Sequence, residues 1–143
     1  DRQGARIERE IQNPFTAADR KELAMNWLVT LADAERAPIP EGKRSALLME
    51  HGSMTLRYYA PRGRDEQTPH DQDEIYVVMS GGGTFALGKD EGALERRPFG
   101  PGDVVFAPAG FLHRFEDFSD DFATWVVFWG PGDGEVAEGR LSR

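Results

Sequence analysis

The chain contains no cysteine. That excludes disulfides, thiolate metal sites and a cysteine nucleophile together. No apolar run approaches the roughly 20 residues that a membrane-spanning helix requires; stretches such as Val77-Val78-Met79 are strand-sized. Positive charge is in short supply: 17 Lys and Arg stand against 25 Asp and Glu, for a formal net charge of −8. A chain without a basic cluster lacks the electrostatic footprint of a nucleic-acid or anionic-membrane binder. Residues 1–10 carry no signal-peptide core, and the chain begins at Asp1 instead of Met, so a segment ahead of it can have been trimmed. Cytoplasm is the default expectation.

Histidine is scarce as well, and here scarcity directs attention. The three histidines are His51, His70 and His113. His70 and Glu74 stand four residues apart, directly ahead of the apolar run Ile75-Tyr76-Val77-Val78-Met79. His113 follows Val104-Val105-Phe106 and a Pro108-Ala109-Gly110 turn. At 143 residues, 39% hydrophobic and 29% charged, the chain is long enough for one domain with a real core.

The texture changes along the chain. Leu23, Trp27 and Leu31, with Ala24 and Leu28 beside them, have helical spacing and predict an amphipathic helix from Ala17 to about Ala34 with Thr16 as its cap. Ala37-Pro38-Ile39-Pro40-Glu41-Gly42 ends it. From Ala46 onward short β-branched and aromatic runs alternate with Gly/Pro turns, the signature of an antiparallel sandwich or barrel. The expected runs are Ala46–Met49, Met54–Ala60, Glu74–Met79, Thr84–Leu87, Arg96–Phe99, Val104–Phe106, Phe111–Phe115 and Ala123–Trp129. The division expected is an N-terminal arm and helix (1–43), a barrel (44–131) and a tail (132–143).

Strand alternation puts His70, Gln72, Glu74, Tyr76 and Val78 on one face if the strand reaches back to His70. Two imidazoles and one carboxylate bind a divalent transition metal and leave positions open. A carboxylate beside Ile-Tyr-Val-Val would be buried, which is costly unless it is paired or metal-bound. Tyr76, Val78, Phe115 and Trp125 predict an apolar lining. Trp125, Val127 and Trp129 share a face expected to be core. Asp117, Asp120 and Asp121 read as a solvated loop, and His51 as a turn residue.

The two stretches resemble the two signature motifs of the cupin superfamily. Its second motif reads Gly, five residues, Pro, any, Gly, two residues, His, three residues, Asn; Gly102, Pro108, Gly110 and His113 match, with Asp117 at the asparagine. Its first motif is matched by His70, Glu74 and Gly81, with Thr68 at the position of the usual first histidine and Gly63 one residue off the leading glycine. The resemblance spans about residues 44–131. It implies an all-β fold, a double-stranded β-helix (jelly-roll) barrel with an N-terminal helical segment. It implies a divalent metal (Fe, Zn, Mn, Ni or Cu) held by His70, Glu74 and His113, with Gln72 or a water in place of the missing ligand. Dioxygenase, isomerase or lyase chemistry on a small, partly apolar molecule follows, with Tyr76 as the catalytic candidate; the alternative is a barrel that binds or senses a small ligand without catalysis. Cupins are commonly dimeric, so a homodimer is expected, with Trp27 and Leu31 available for its contact.

Overall fold

A computed structural model describes residues 16–17 and 27–135. The helix expected over 17–34 falls partly outside these residues. Within them, Ala17 is helical, Trp27–Thr30 are not, and a helix, α1, spans Leu31–Arg36. The reason is local. Thr30 is extended (φ −84°, ψ 161°), its hydroxyl accepts from the Asp33 N–H, and the Asp33 carboxylate accepts from the Thr30 N–H. This reciprocal cap starts a helix at Leu31, and Pro38 disfavours helical geometry at Ala37, where it stops.

Eight strands follow: β1 Ala46–His51, β2 Met54–Tyr59, β3 Asp73–Ser80, β4 Gly83–Gly88, β5 Glu95–Phe99, β6 Val104–Ala107, β7 Leu112–Glu116 and β8 Ala123–Trp129. Each lies within a residue or two of the run expected for it. They form a five-stranded sheet in the order β1-β2-β8-β3-β6 and a three-stranded sheet in the order β5-β4-β7, with every recorded pairing antiparallel. This is the jelly-roll barrel.

Register decides which side chains meet inside. Directly opposed residues share a face. Thr55, Phe128, Glu74 and Ala107 form one inward row across the larger sheet; Arg57, Val126, Tyr76 and Val105 form the next; Tyr59, Thr124 and Val78 begin a third. From the smaller sheet, Phe85 opposite Phe115 and Leu87 opposite His113 close the barrel. Tyr76, Phe85, Phe115, Phe99 and Phe122 pack as an aromatic core, with the Phe115 ring centroid 4.9 Å from Tyr76 and Phe85 and 4.6 Å from Phe122.

This register corrects two expectations. Trp125, Val127 and Trp129 oppose Val77, Ile75 and Asp73 on the outer face, because Thr124, Val126 and Phe128 take the inner one. Trp125 meets Tyr58 edge-on at 5.7 Å, and Trp129 lies 6.2 Å from Phe106. Tyr76, Val78 and Phe115 do not line open space: they fill the core. The outer face is therefore unusually apolar, with Val104 61% and Phe106 46% exposed.

Turn glycines hold this geometry. At Gly81 φ is +73°, and an added Cβ would meet the Phe122 Cα at 2.6 Å. Gly102 has φ +84° but open space around it. Gly102→Ala should therefore lose about 1 kcal/mol from left-handed backbone alone, whereas Gly81→Ala should lose roughly 3 kcal/mol because the backbones also collide. Urea unfolding of both variants checks the difference.

Candidate metal centre

Glu74, the second residue of β3, points into the barrel with 1% exposure. The preceding residue, Asp73, is also buried, on the opposite face, and its carboxylate accepts from the N–H groups of Ala109 (2.9 Å) and Glu135 (3.0 Å). The two adjacent carboxylates thus have different tasks. Asp73 ties the turn before β7 to the start of β3, and Glu74 faces the lumen.

His70 does not belong to β3, which begins three residues later. It reaches the lumen from the preceding loop. Its carbonyl accepts from the Gly110 N–H at 2.7 Å, so the Pro108-Ala109-Gly110 turn is bonded directly to the loop that carries the other histidine. Gly110 has φ +79°, which glycine adopts without strain. The turn delivers His113, second residue of β7, against Glu74.

Possible ligand atoms of His70, Glu74 and His113 all lie within 4.8 Å of one another. The rings of His70 and His113 are 5.2 Å apart. The Nδ1 of His113 is 3.0 Å from the Phe111 carbonyl, which assigns it the proton and leaves Nε2 free. That Nε2 stands 2.7 Å from Glu74 Oε1. The approach lacks hydrogen-bond geometry: Nε2 of His113 and Oε2 of Glu74 are buried without a hydrogen-bond partner among the described residues. Buried polar atoms are rarely left in this condition. Two buried, unbonded lone-pair atoms within this group fit a shared cation. Tetrahedral ligand atoms about 2.1 Å from one ion stand about 3.4 Å apart, so the trio, whose ligand atoms lie within 4.8 Å of one another, would draw together on binding.

Burial works against a charged His113, but the Glu74 carboxylate beside it and the Phe111 carbonyl outweigh that and hold its pKa above the ordinary value. His70 is shifted the other way, chiefly by burial, and stays a neutral ligand. Burial, then the charge of Glu74, pushes the Tyr76 hydroxyl well up. Tyr76 keeps its proton and donates it to Gln67 Oε1 at 3.0 Å.

Gln72 borders the same cavity as His70, but its NH2 group donates to the carbonyls of Ser53 (3.1 Å) and Gly130 (2.9 Å). The amide oxygen beside the trio belongs to Gln67, 3.4 Å from His70 Nε2. Gln67 was not singled out from the sequence, nor was Asp65, which holds it. The Asp65 carboxylate is buried and accepts from Tyr59 Oη (2.5 Å), Phe115 N (2.8 Å) and Gln67 Nε2 (3.0 Å). Asp65 sits in a polar Arg-Gly-Arg-Asp-Glu stretch with no periodic signal, so only the fold reveals its burial. Thr68 is exposed and lines the cavity mouth. Asp117 lies on the exposed turn after β7 with φ 50°, a conformation that Asn and Asp tolerate.

A cavity of about 500 Å³ opens beside the trio, with His70, Gln67, Val126 and Phe128 in its wall.

The sequence matches the Cupin domain family over residues 55–129. An uncharacterized protein of Streptomyces coelicolor is 36% identical over 100 residues, covering 69% of this chain and 90% of that protein. The glucose-6-phosphate isomerase of Thermococcus kodakarensis is 35% identical over 63 residues, 44% of this chain but only 33% of the isomerase. A crystal structure from Bacillus halodurans shares the fold, with a TM-score of 0.56 at 15% identity, over 74% of this chain and 83% of that one.

Divalent metal titrated into chelator-treated protein should raise the melting temperature, since an ion that binds only the folded state stabilises it. Glu74→Gln and His113→Ala should each weaken uptake by at least about a hundredfold. Because His113 holds its proton above the ordinary imidazole value, and the ion must displace that proton, affinity should fall as pH drops from about 8 to about 6. Calorimetric titration at the two pH values checks the sign.

Proposed function

The chain belongs to the cupin domain family, and from that premise we propose that it is a metal-dependent enzyme acting on a small molecule in the barrel cavity. The observation that supports this most is the pair of buried, unpartnered ligand atoms, Glu74 Oε2 and His113 Nε2. A divalent ion held by His70, Glu74 and His113 would supply Lewis acidity toward an oxygen of the bound molecule. The chain's own residues would do the rest. His113, oriented through Phe111, and Glu74 would hold the centre. Gln67 would accept from Tyr76 and present its amide beside His70. Tyr76, buried and protonated throughout, would hold Gln67 in place through its hydroxyl and not act as a base. Gln72 would shape the wall, and a water would complete the ligand set that Thr68 does not.

Among isomerase, lyase and dioxygenase chemistry, isomerisation is favoured by the similarity to an isomerase over 63 residues. The second reading, a barrel that binds or senses a small ligand without turnover, draws on the same cavity. Chelator-treated protein reloaded in turn with iron, manganese, nickel, zinc or copper separates them. Metal-dependent exchange of solvent deuterium into sugar phosphates, lost in Glu74→Gln, is expected for an isomerase. Metal-dependent oxygen uptake would indicate a dioxygenase instead. Ligands that raise the melting temperature without turnover would leave the binding barrel.

We further propose a homodimer in the cytoplasm. Val104 and Phe106, with Ile75, Val77 and Trp129 beside them, give the outer face of the larger sheet an apolar surface suited to a second copy. Sedimentation should give a dimer that Phe106→Glu converts to monomer; a monomeric wild type would end this proposal.

A further inference from the structure

We propose that the cavity selects a small organic anion, whose charged group is held by Arg57 with Arg44 and Lys43. This deepens the enzyme reading above, since it names the substrate class of the same site. The charges are distributed unexpectedly. The chain carries a net charge of −8, yet Lys43, Arg44 and Arg57 all line this one cavity, against Asp71 as its single carboxylate. Arg57 is the most telling. It lies on the inner face of β2, opposite Val126, and is half-buried. An inward arginine loses hydration and normally takes a carboxylate partner. Arg36, Arg96, Arg97 and Arg114 each have one within 3.3 Å. Among the described residues, Arg57 has none; the exposed Lys43, Arg44, Arg62, Arg64 and Lys89 lack one too, but Arg57 alone of these is half-buried.

Geometry ties this charge to the metal trio. Arg57, Val126 and Tyr76 stand in one cross-strand row, next to the row that holds Thr55, Phe128 and Glu74. Two strand spacings put Arg57 about 10 Å from Tyr76 along the sheet. A molecule of a few carbons can therefore seat its anion on Arg57 while another of its oxygens faces the trio. Thr55 and Thr68, also in the wall, offer hydroxyl donors. Arginine's planar fork matches carboxylate and phosphate alike.

Three probes of similar size test the idea: glycerol phosphate, glycerate and glycerol, each titrated calorimetrically into the full chain after chelation and again after metal loading. At least one anion is expected to bind the chelated protein, with affinity that falls as salt rises, while glycerol does not bind. Arg57→Gln should weaken that anion by about tenfold to a hundredfold, Arg57→Lys by less, and both should retain wild-type metal uptake. The tighter of the two anions identifies the group selected. Equal binding of glycerol, no binding of either anion, or unchanged anion affinity in Arg57→Gln would overturn the proposal. Because the chelated protein is read separately, a wild type that binds the anion but takes up no metal fails the metal reading alone, and one that takes up metal but binds neither anion fails this proposal alone.

Discussion

Glu74 is a carboxylate at 1% exposure, with one oxygen 2.7 Å from His113 Nε2 and the other unpartnered, and such a group is costly to bury unless it is paired or metal-bound. The surrounding structure serves that arrangement. β3 places Glu74 in the inward row, the turn ending at Gly110 places His113 against it, and the hydrogen bond from Gly110 to the His70 carbonyl fixes the loop that brings the second imidazole. Asp73, facing the other way, holds the same turn through the Ala109 N–H. Two distant segments are thus locked together by backbone contacts before any ligand atom is considered, so the site is pre-organised by the scaffold.

Behind the trio lies a second layer of polar order. Tyr59, Asp65, Gln67 and Tyr76 form a chain of hydrogen bonds that runs from β2 through the loop to β3. Asp65 also takes the Phe115 N–H of β7, so one buried carboxylate joins the two sheets. Such networks are stable when every member is satisfied, and this one contrasts with the unsatisfied pair beside it. The aromatic core beneath leaves no open space near Tyr76, Val78 and Phe115, which moves the accessible volume toward β2 and the cationic wall. The cavity is consequently more polar than its aromatic sequence neighbours suggest.

Much of this was legible in the residues. The Gly/Pro turns and β-branched runs marked all eight strands, because period and punctuation are local properties. His70, Glu74 and His113 stood out because histidine is rare here and each sits at a marked turn or strand start. The Thr30–Asp33 cap was legible too, and it marks a helix start at Leu31. The outer placement of Trp125 and Trp129 was not legible. Alternation says that Trp125, Val127 and Trp129 share a face but not which face, and the large apolar set is not always the buried one.

By itself, then, the sequence determined the strand order along the chain, the turns, and the candidate ligands, since these depend on neighbours a few residues apart. Only the tertiary structure decided that Gln67 and Asp65 join the site, that Gln72 bonds to Ser53 and Gly130, and that Arg57 faces the lumen. Those facts depend on register between β2, β8 and β3, which pairs residues roughly forty to seventy positions apart, and no local pattern carries that information.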